Sequence, residues 1–392
     1  MTPSPSALAD AELLDDGSVV RLRWTDGSVA RFHAIWLRDN APDPATRDPR
    51  NGQRLITILD IAADVRLAEA RVVDGDLDLR FAPEGTQPAG HGCGFSAAWL
   101  HAQRYDVEVR RQRGVPGLDV ETWDARLGEA PPTVSWTAAR HDPQAFRAWL
   151  ADVRRYGFAI MTGTPTLAGT VAEVAELFGF VRETNYGRIF DVRAEVNPSN
   201  LAFTGLALQV HTDNPYRDPV PTLQLLHCLA SDADGGASTV VDGFRAAEIL
   251  RAEAPDGFEL LAGHSVPFEY RGTGGVHLRA AAPLIRLSPE GELRGVRFNN
   301  RSAAPLRLPF AVTAAYYEAY RHFAGILDRP ALELSFKLTP GDLFIVDNER
   351  VLHGRQGYSG AGRRHLQGCY ADRDGLLSTL AVLEATPETK AA

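Results

Sequence analysis

The sequence predicts a mainly β protein with flanking helices: a double-sheet barrel of about 250 residues preceded by a small β-rich domain. Three observations predict it. Strand-like runs outnumber helical ones and follow one another across long connections, which suits a barrel of two sheets better than regular βαβ alternation. Asp-Gly turns separate alternating runs near the start of the chain. At 392 residues the chain exceeds the ~100–200 residues of one ordinary domain, so two are expected.

Residues 1–105 are read as the small domain. Val19–Trp24, the Thr25-Asp26-Gly27 turn and Val29–Phe32 form one hairpin, and Arg71–Val73, Asp74-Gly75 and Leu77–Phe81 form another. Residues 40–52 and 82–94 are Pro-, Gly- and Asp-rich loops, the second containing His91. Residues 106–135, polar and punctuated by Gly and Pro, are read as a linker, and 136–392 as the larger domain. There Asp142 is placed to cap a helix whose apolar face is Phe146, Trp149, Leu150 and Val153. Gly157–Gly163 encloses a buried strand. Helices are expected over Thr170–Phe178, Ala246–Ala254 and Ala311–Leu327. Further strands are expected at Thr222–Cys228, Ser238–Val241, Val296–Phe298, Leu332–Leu338 and Leu343–Val346.

Composition excludes several classes of function. The net charge of -9 without a run of Lys and Arg argues against nucleic acid. No stretch approaches the ~18 apolar residues of a membrane span, and the first residues lack a basic segment followed by an apolar run. A cytoplasmic protein is the expectation. Cys93, Cys228 and Cys369 are too few and too scattered for a disulfide framework or a thiolate zinc site.

The chemistry concentrates in two segments. In His211-Thr212-Asp213, at the end of an extended run, side chains two residues apart share a strand face and can grip one metal ion. Alone, the pair is a weak signal and reads more readily as a surface turn. The second segment, Gly341 to Arg355, runs from a turn through an apolar strand to Val351-Leu352-His353-Gly354-Arg355, with Arg364 eleven residues beyond His353. Two histidines and a carboxylate on one face of a metal form the triad of non-haem Fe(II) oxygenases, which leaves three positions open. A 2-oxoglutarate cosubstrate chelates iron through its keto oxygen and one carboxylate, and the far carboxylate then needs a buried partner. A guanidinium supplies a bidentate one. Arg364 is placed for this on a neighbouring strand, with Arg363 the fallback.

With these residues in hand, the chain resembles the TauD/TfdA branch of Fe(II)/2-oxoglutarate oxygenases, and within it the γ-butyrobetaine hydroxylase-like group. The resemblance spans nearly the whole chain. It rests on Trp36-Leu37-Arg38-Asp39-Asn40, His211-Thr212-Asp213, Leu225-Leu226-His227-Cys228, Gly235-Gly236 and Val241-Asp242-Gly243-Phe244. It continues through Phe298-Asn299-Asn300, Asp347-Asn348, Leu352-His353-Gly354-Arg355 and Arg364-His365-Leu366. It implies a double-stranded β-helix (jelly-roll) catalytic domain, commonly in a homodimer. His211, Asp213 and His353 would hold Fe(II). Arg364 would anchor 2-oxoglutarate, with Leu226 and Ser238 lining its site, and O2 would take the remaining position. Relatives often bind zinc in the small domain through three cysteines and a later histidine. Here the matching positions are Ala41, Asp43, Thr46 and His91, so no structural zinc is expected and His91 is assigned no ligand role.

The resemblance also implies a trimethylammonium zwitterion as the small-molecule substrate. A quaternary ammonium has no N–H, so aromatic faces must recognise it; the matching positions are Tyr186, Phe190, Phe203 and Tyr370, each of which could instead be a core aromatic. Asn200 and Asn300 match asparagines that hold a carboxylate tail. Asn300 is followed by Arg301, and Asp213 by Asn214-Pro215-Tyr216. This combination looks like the (2-trimethylaminoethyl)phosphonate dioxygenases of the same group, because a phosphonate carries up to two charges and three acceptor oxygens. Arg301 could instead be a surface loop residue and Tyr216 a packing residue. The expectation is hydroxylation of that phosphonate to its 1-hydroxy product in organophosphonate catabolism, with succinate and CO2 released from 2-oxoglutarate. γ-Butyrobetaine hydroxylation is the alternative. A non-catalytic binder on the same fold and a zinc hydrolase using the same three ligands come behind, since neither uses both open metal positions and Arg364.

Overall fold

A computed structural model describes residues 7–82, 91–106, 112–193, 206–232, 234–272, 275–358 and 363–385. The chain divides into two compact units, Met1–Arg110 and Arg111–Ala392.

In the first unit, strands Leu8–Leu14, Val19–Trp24 and Val29–His33 form one antiparallel sheet, and Leu67–Val73, Asp76–Phe81 and Gly92–Phe95 another. The second sheet's hairpin turns on Asp74 and Gly75, both at positive φ (50° and 87°). That conformation matches the right-handed twist of the flanking strands and is why Asp-Gly serves there. Alternate residues Val20, Leu22 and Trp24 meet Leu77, Leu79 and Phe81 in one apolar core.

The second unit is built on two sheets. Six strands lie in the order Thr133–Ser135, Phe158–Thr162, Leu343–Asp347, Leu223–Ser231, Arg364–Ala371, Phe190–Arg193. Four lie in the order Leu208–His211, Val351–Arg355, Ser238–Asp242, Leu334–Phe336. The period of two along each strand explains why they read as continuous apolar runs. In Leu343–Val346, Phe344 and Val346 enter a cluster with Leu226, Val240 and Val351 from both sheets. Leu343 and Ile345 point the other way, into a cluster with Trp149, Val174 and Leu376 of helices Pro143–Tyr156, Thr170–Glu176 and Arg373–Ala385. Helices Gly243–Glu253, Pro255–Gly263 and Phe310–Leu327 cover the four-stranded sheet through Phe244, Leu250, Phe258 and Phe323. The architecture is the jelly-roll expected.

The helix from Pro143 begins as its sequence dictates: Asp142 accepts from Gln144 N (2.8 Å), and Gly157, at φ 69°, ends it. Two expectations need correction. Residues 112–135 are no linker. Trp123 is buried with its indole donating to the Tyr156 carbonyl (2.7 Å), and Thr133–Ser135 runs parallel to Ile160–Thr162. Glycine and proline there interrupt periodicity without interrupting packing. The strand expected at Val296–Phe298 instead spans Leu293–Val296 and pairs with Ile285–Leu287. No helix among the described residues is long and apolar enough to cross a membrane.

Candidate active site

Strand register builds the site. Leu208–His211 pairs antiparallel with Val351–Arg355, and His211 lies opposite His353. Both imidazoles are buried, with ring centroids 4.6 Å apart. Asp213 follows the strand end, its Oδ1 3.3 Å from His211 Nε2 and its Oδ2 3.9 Å from His353 Nε2. The three donor atoms lie within 4.8 Å of one another.

The surrounding polar groups fix each donor. His211 Nδ1 donates to the Gln209 carbonyl (2.8 Å), which leaves the Nε2 lone pair for a metal. Burial, with the neighbouring His211, pushes His353 down to about 3, so it is a neutral ligand at physiological pH. Burial would raise the Asp213 carboxyl, but His211, His353 and Tyr370 outweigh it and hold it below the usual carboxylate range. Its backbone is held by Asn348, whose Oδ1 accepts from Asp213 N (2.6 Å) while its Nδ2 donates to Asp213 O (3.0 Å). Asn299 donates to the Thr212 carbonyl (3.0 Å), tying down the intervening residue. Two imidazoles and one carboxylate, unobstructed on one side, fit an octahedral iron with three open positions.

One cavity contains the triad. It is lined by Arg364, Leu226 and Ser238, by Tyr186, Phe190, Tyr216 and Tyr370, and by Asn214 and Arg301. Arg364 is 8% exposed and stacks over Tyr358 at 5.6 Å; among the described residues no carboxylate pairs with it. A buried guanidinium in that state suits the far carboxylate of a chelating dianion such as 2-oxoglutarate. Arg363 is exposed. Arg364 comes from the six-stranded sheet, opposite Ser231, so it faces the His353 strand across the barrel and is not its neighbour within a sheet.

The aromatic residues form a continuous arc. Tyr370 and Phe190 stand 5.0 Å apart, Phe190 and Tyr186 6.4 Å, Tyr186 and Tyr270 5.8 Å, and Tyr270 stacks on Tyr216 at 4.9 Å. The Tyr186 and Tyr216 hydroxyls are hydrogen-bonded at 2.7 Å. Gly368 makes room for the arc, because a Cβ there would lie 2.5 Å from the Phe190 ring and 2.9 Å from Leu226. Asn214, 3% exposed and at φ 55°, presents a carboxamide in which neither polar atom has a partner among the described residues. Such a group inside a cavity is a waiting ligand contact.

Asn300 departs from expectation. It is exposed, bonds Gln209 (3.4 Å) and lines a different hollow; its neighbour Asn299 faces the cavity. Asn200 and Phe203 lie outside the described residues. Sequence reasoning missed Tyr270, Gln224, Asn299, Ser302 and Arg355, which also line the cavity. Gln224 and Arg355 had readable signals. One is a lone amide at an inward position of an apolar strand, and the other lies two residues past His353 on the same face. Tyr270 had none, since it sits in a hairpin outside both sheets.

In the first unit, His91 is more than a loop residue. Its Nε2 lies 2.9 Å from Asp43 Oδ2, which also accepts from Thr46 Oγ1 (2.9 Å), and Arg38 donates to the same hydroxyl (2.9 Å). Asp43, His91 and Cys93 bring three donor atoms within 4.8 Å. Four-coordinate zinc does not fit this set. No fourth donor joins it among the described residues, and Asp43 is already occupied by hydrogen bonds with His91 and Thr46.

Comparison with known proteins agrees with this geometry. Residues 121–370 match the family described as taurine catabolism dioxygenase TauD, TfdA family, and residues 11–101 match the γ-butyrobetaine hydroxylase-like N-terminal family. The chain is 36% identical over 383 residues to a γ-butyrobetaine dioxygenase of Pseudomonas sp. (strain AK-1), covering 97% of each chain. It is 32% identical to the mitochondrial trimethyllysine dioxygenase of Gallus gallus, covering 97% of this chain and 89% of that one. Among solved structures, asparagine oxygenase superposes with a TM-score of 0.47 at 21% identity, over 60% of this chain and 82% of that one.

Proposed function

We propose, for a chain that belongs to the TauD, TfdA family and is therefore an Fe(II)- and 2-oxoglutarate-dependent dioxygenase, that its substrate is a trimethylammonium zwitterion with a carboxylate tail, γ-butyrobetaine fitting best. The observation that carries the reading is the arc Tyr370–Phe190–Tyr186–Tyr270–Tyr216, one end of which is bonded to Asp213. Ring faces attract a quaternary cation that no hydrogen bond can hold. The relatives reverse the order reached from the sequence, since a γ-butyrobetaine dioxygenase is among those most like this chain.

His211, Asp213 and His353 would hold iron, and Arg364, with Ser238 and Leu226 beside it, would seat the cosubstrate. When bound, the metal and 2-oxoglutarate supply O2-dependent oxidation of a C–H bond, with release of succinate and CO2. The protein's contribution is aim. The arc fixes the cationic end, Asn214 and Arg301 meet the anionic end, and a short molecule held at both ends presents one carbon to the metal.

A phosphonate tail remains the second reading, on one observation: Arg301, unpaired with any carboxylate among the described residues, lines the cavity near the orphaned Asn214 amide. Succinate release with γ-butyrobetaine and with (2-trimethylaminoethyl)phosphonate at matched concentration decides between them. The carboxylate reading expects at least tenfold higher kcat/KM for γ-butyrobetaine. Preference for the phosphonate, lost in Arg301→Ala, would overturn it.

A further inference from the structure

Gln224 and Tyr370 face each other across paired strands, as register partners in the six-stranded sheet. Both side chains turn inward and converge on one atom. Gln224 Nε2 donates to Asp213 Oδ2 at 2.7 Å, and the Tyr370 hydroxyl donates to the same oxygen at 2.8 Å. The amide orientation is dictated by charge, because its alternative would set Gln224 Oε1 against a carboxylate. A carboxylate oxygen offers about two lone-pair directions. Oδ2 is thus filled by two donors from a rigid sheet, and Oδ1, beside His211 Nε2, is the oxygen left to a metal.

The count of coordination positions gives this consequence. On a bound iron, two histidines and a one-oxygen aspartate would take three of six places and a chelating 2-oxo acid two, which would leave one for O2. An aspartate bound through both oxygens would take a fourth place and leave no room for one of the two reactants. We propose that Gln224 and Tyr370 are positioning residues that hold the Asp213 carboxylate to single-oxygen coordination and so keep the third open position available. Tyr370 then has two duties, its ring closing the aromatic arc and its hydroxyl restraining the iron ligand.

The test is the double variant Gln224→Met/Tyr370→Phe, which keeps side-chain volume and the aromatic face. Anaerobic titration of the Fe(II) protein, saturated with 2-oxoglutarate, with nitric oxide as a stand-in for O2 at the third position, read by EPR, should give a Kd for nitric oxide raised at least tenfold, with iron still bound at one equivalent per chain. Outer-shell changes of this kind ordinarily move metal-site properties by ~10–100-fold. A Kd within twofold of the parent overturns the proposal. Loss of stoichiometric iron overturns it too, since the pair would then govern metal retention and not denticity. If the double variant fails to fold, Tyr370→Phe alone decides, a threefold rise supporting the assignment and an unchanged Kd refuting it.

Discussion

Arg364→Met is the sharpest perturbation of the cosubstrate site. The guanidinium is 8% exposed and, among the described residues, without a carboxylate partner, so an incoming dianion would complete a buried ion pair. Methionine preserves the aliphatic stem and removes only the charge. The far carboxylate would then be buried unpaired, a situation that costs about 3–5 kcal/mol. At ~1.4 kcal/mol per tenfold, the Kd for 2-oxoglutarate should rise by roughly two to three and a half powers of ten. Burial lowers the Arg364 pKa, yet an arginine stays charged across any practical assay range, so the effect should not depend on pH between 6 and 9. The assay is anaerobic titration of the Fe(II) protein by 2-oxoglutarate, with iron content measured in parallel. Arg364→Lys keeps the charge without the planar fork and should fall between. Arg355→Met is the internal comparison, because Arg355 lines the same cavity but already donates to the Leu206 carbonyl (3.1 Å); its effect should stay under tenfold. A Kd within threefold of the parent in Arg364→Met, or a larger effect from exposed Arg363→Met, would refute the anchor.

Two further outcomes follow from the same geometry. Burial pushes His227 down to about 4 and His353 to about 3, so each binds its proton more tightly in the unfolded chain. Stability of the metal-free protein should therefore be full above pH 6.5 and fall as the pH drops toward those values. The fall should be about 3 kcal/mol between pH 7.5 and 5.5 for the two together by urea unfolding, and His227→Gln should remove about half of it; an unchanged slope in that variant would contradict the assignment. In the first unit, protein dialysed against zinc and iron together should hold no zinc that His91→Ala removes, whereas one equivalent lost in that variant would reverse the reading of the Asp43–His91 pair.

How far the sequence carried can be seen residue by residue. Local chemistry was readable: Asp142 capped its helix, Asp74-Gly75 turned its hairpin, and the apolar runs became strands buried on both faces. The triad was readable because His-x-Asp and His353 come with a strand and an arginine at fixed spacing. Pairing across the barrel was not readable. That His211 lies opposite His353, and that Gln224 lies opposite Tyr370, depends on register between segments far apart in the chain, which no local pattern encodes. Parity was the second limit. Asn299 and Asn300 are adjacent and chemically identical, and only the backbone decides which one enters the cavity. The supposed linker failed for a related reason, because irregular backbone such as that around Trp123 can pack as tightly as a strand.

Recognition of a quaternary cation by the aromatic arc is the claim on which the substrate reading stands. Its most direct test is a substrate pair: γ-butyrobetaine against the isostere in which a neutral tert-butyl group replaces trimethylammonium, with hydroxylated product and succinate quantified together by mass spectrometry. The two heads have the same shape and differ only in charge, and a desolvated cation–π contact is worth about 2 kcal/mol. Hydroxylation of γ-butyrobetaine at one succinate per product, with kcat/KM at least tenfold above that of the isostere, is the predicted result. Equal turnover of the two, or succinate formed without hydroxylated product from γ-butyrobetaine, would contradict the account.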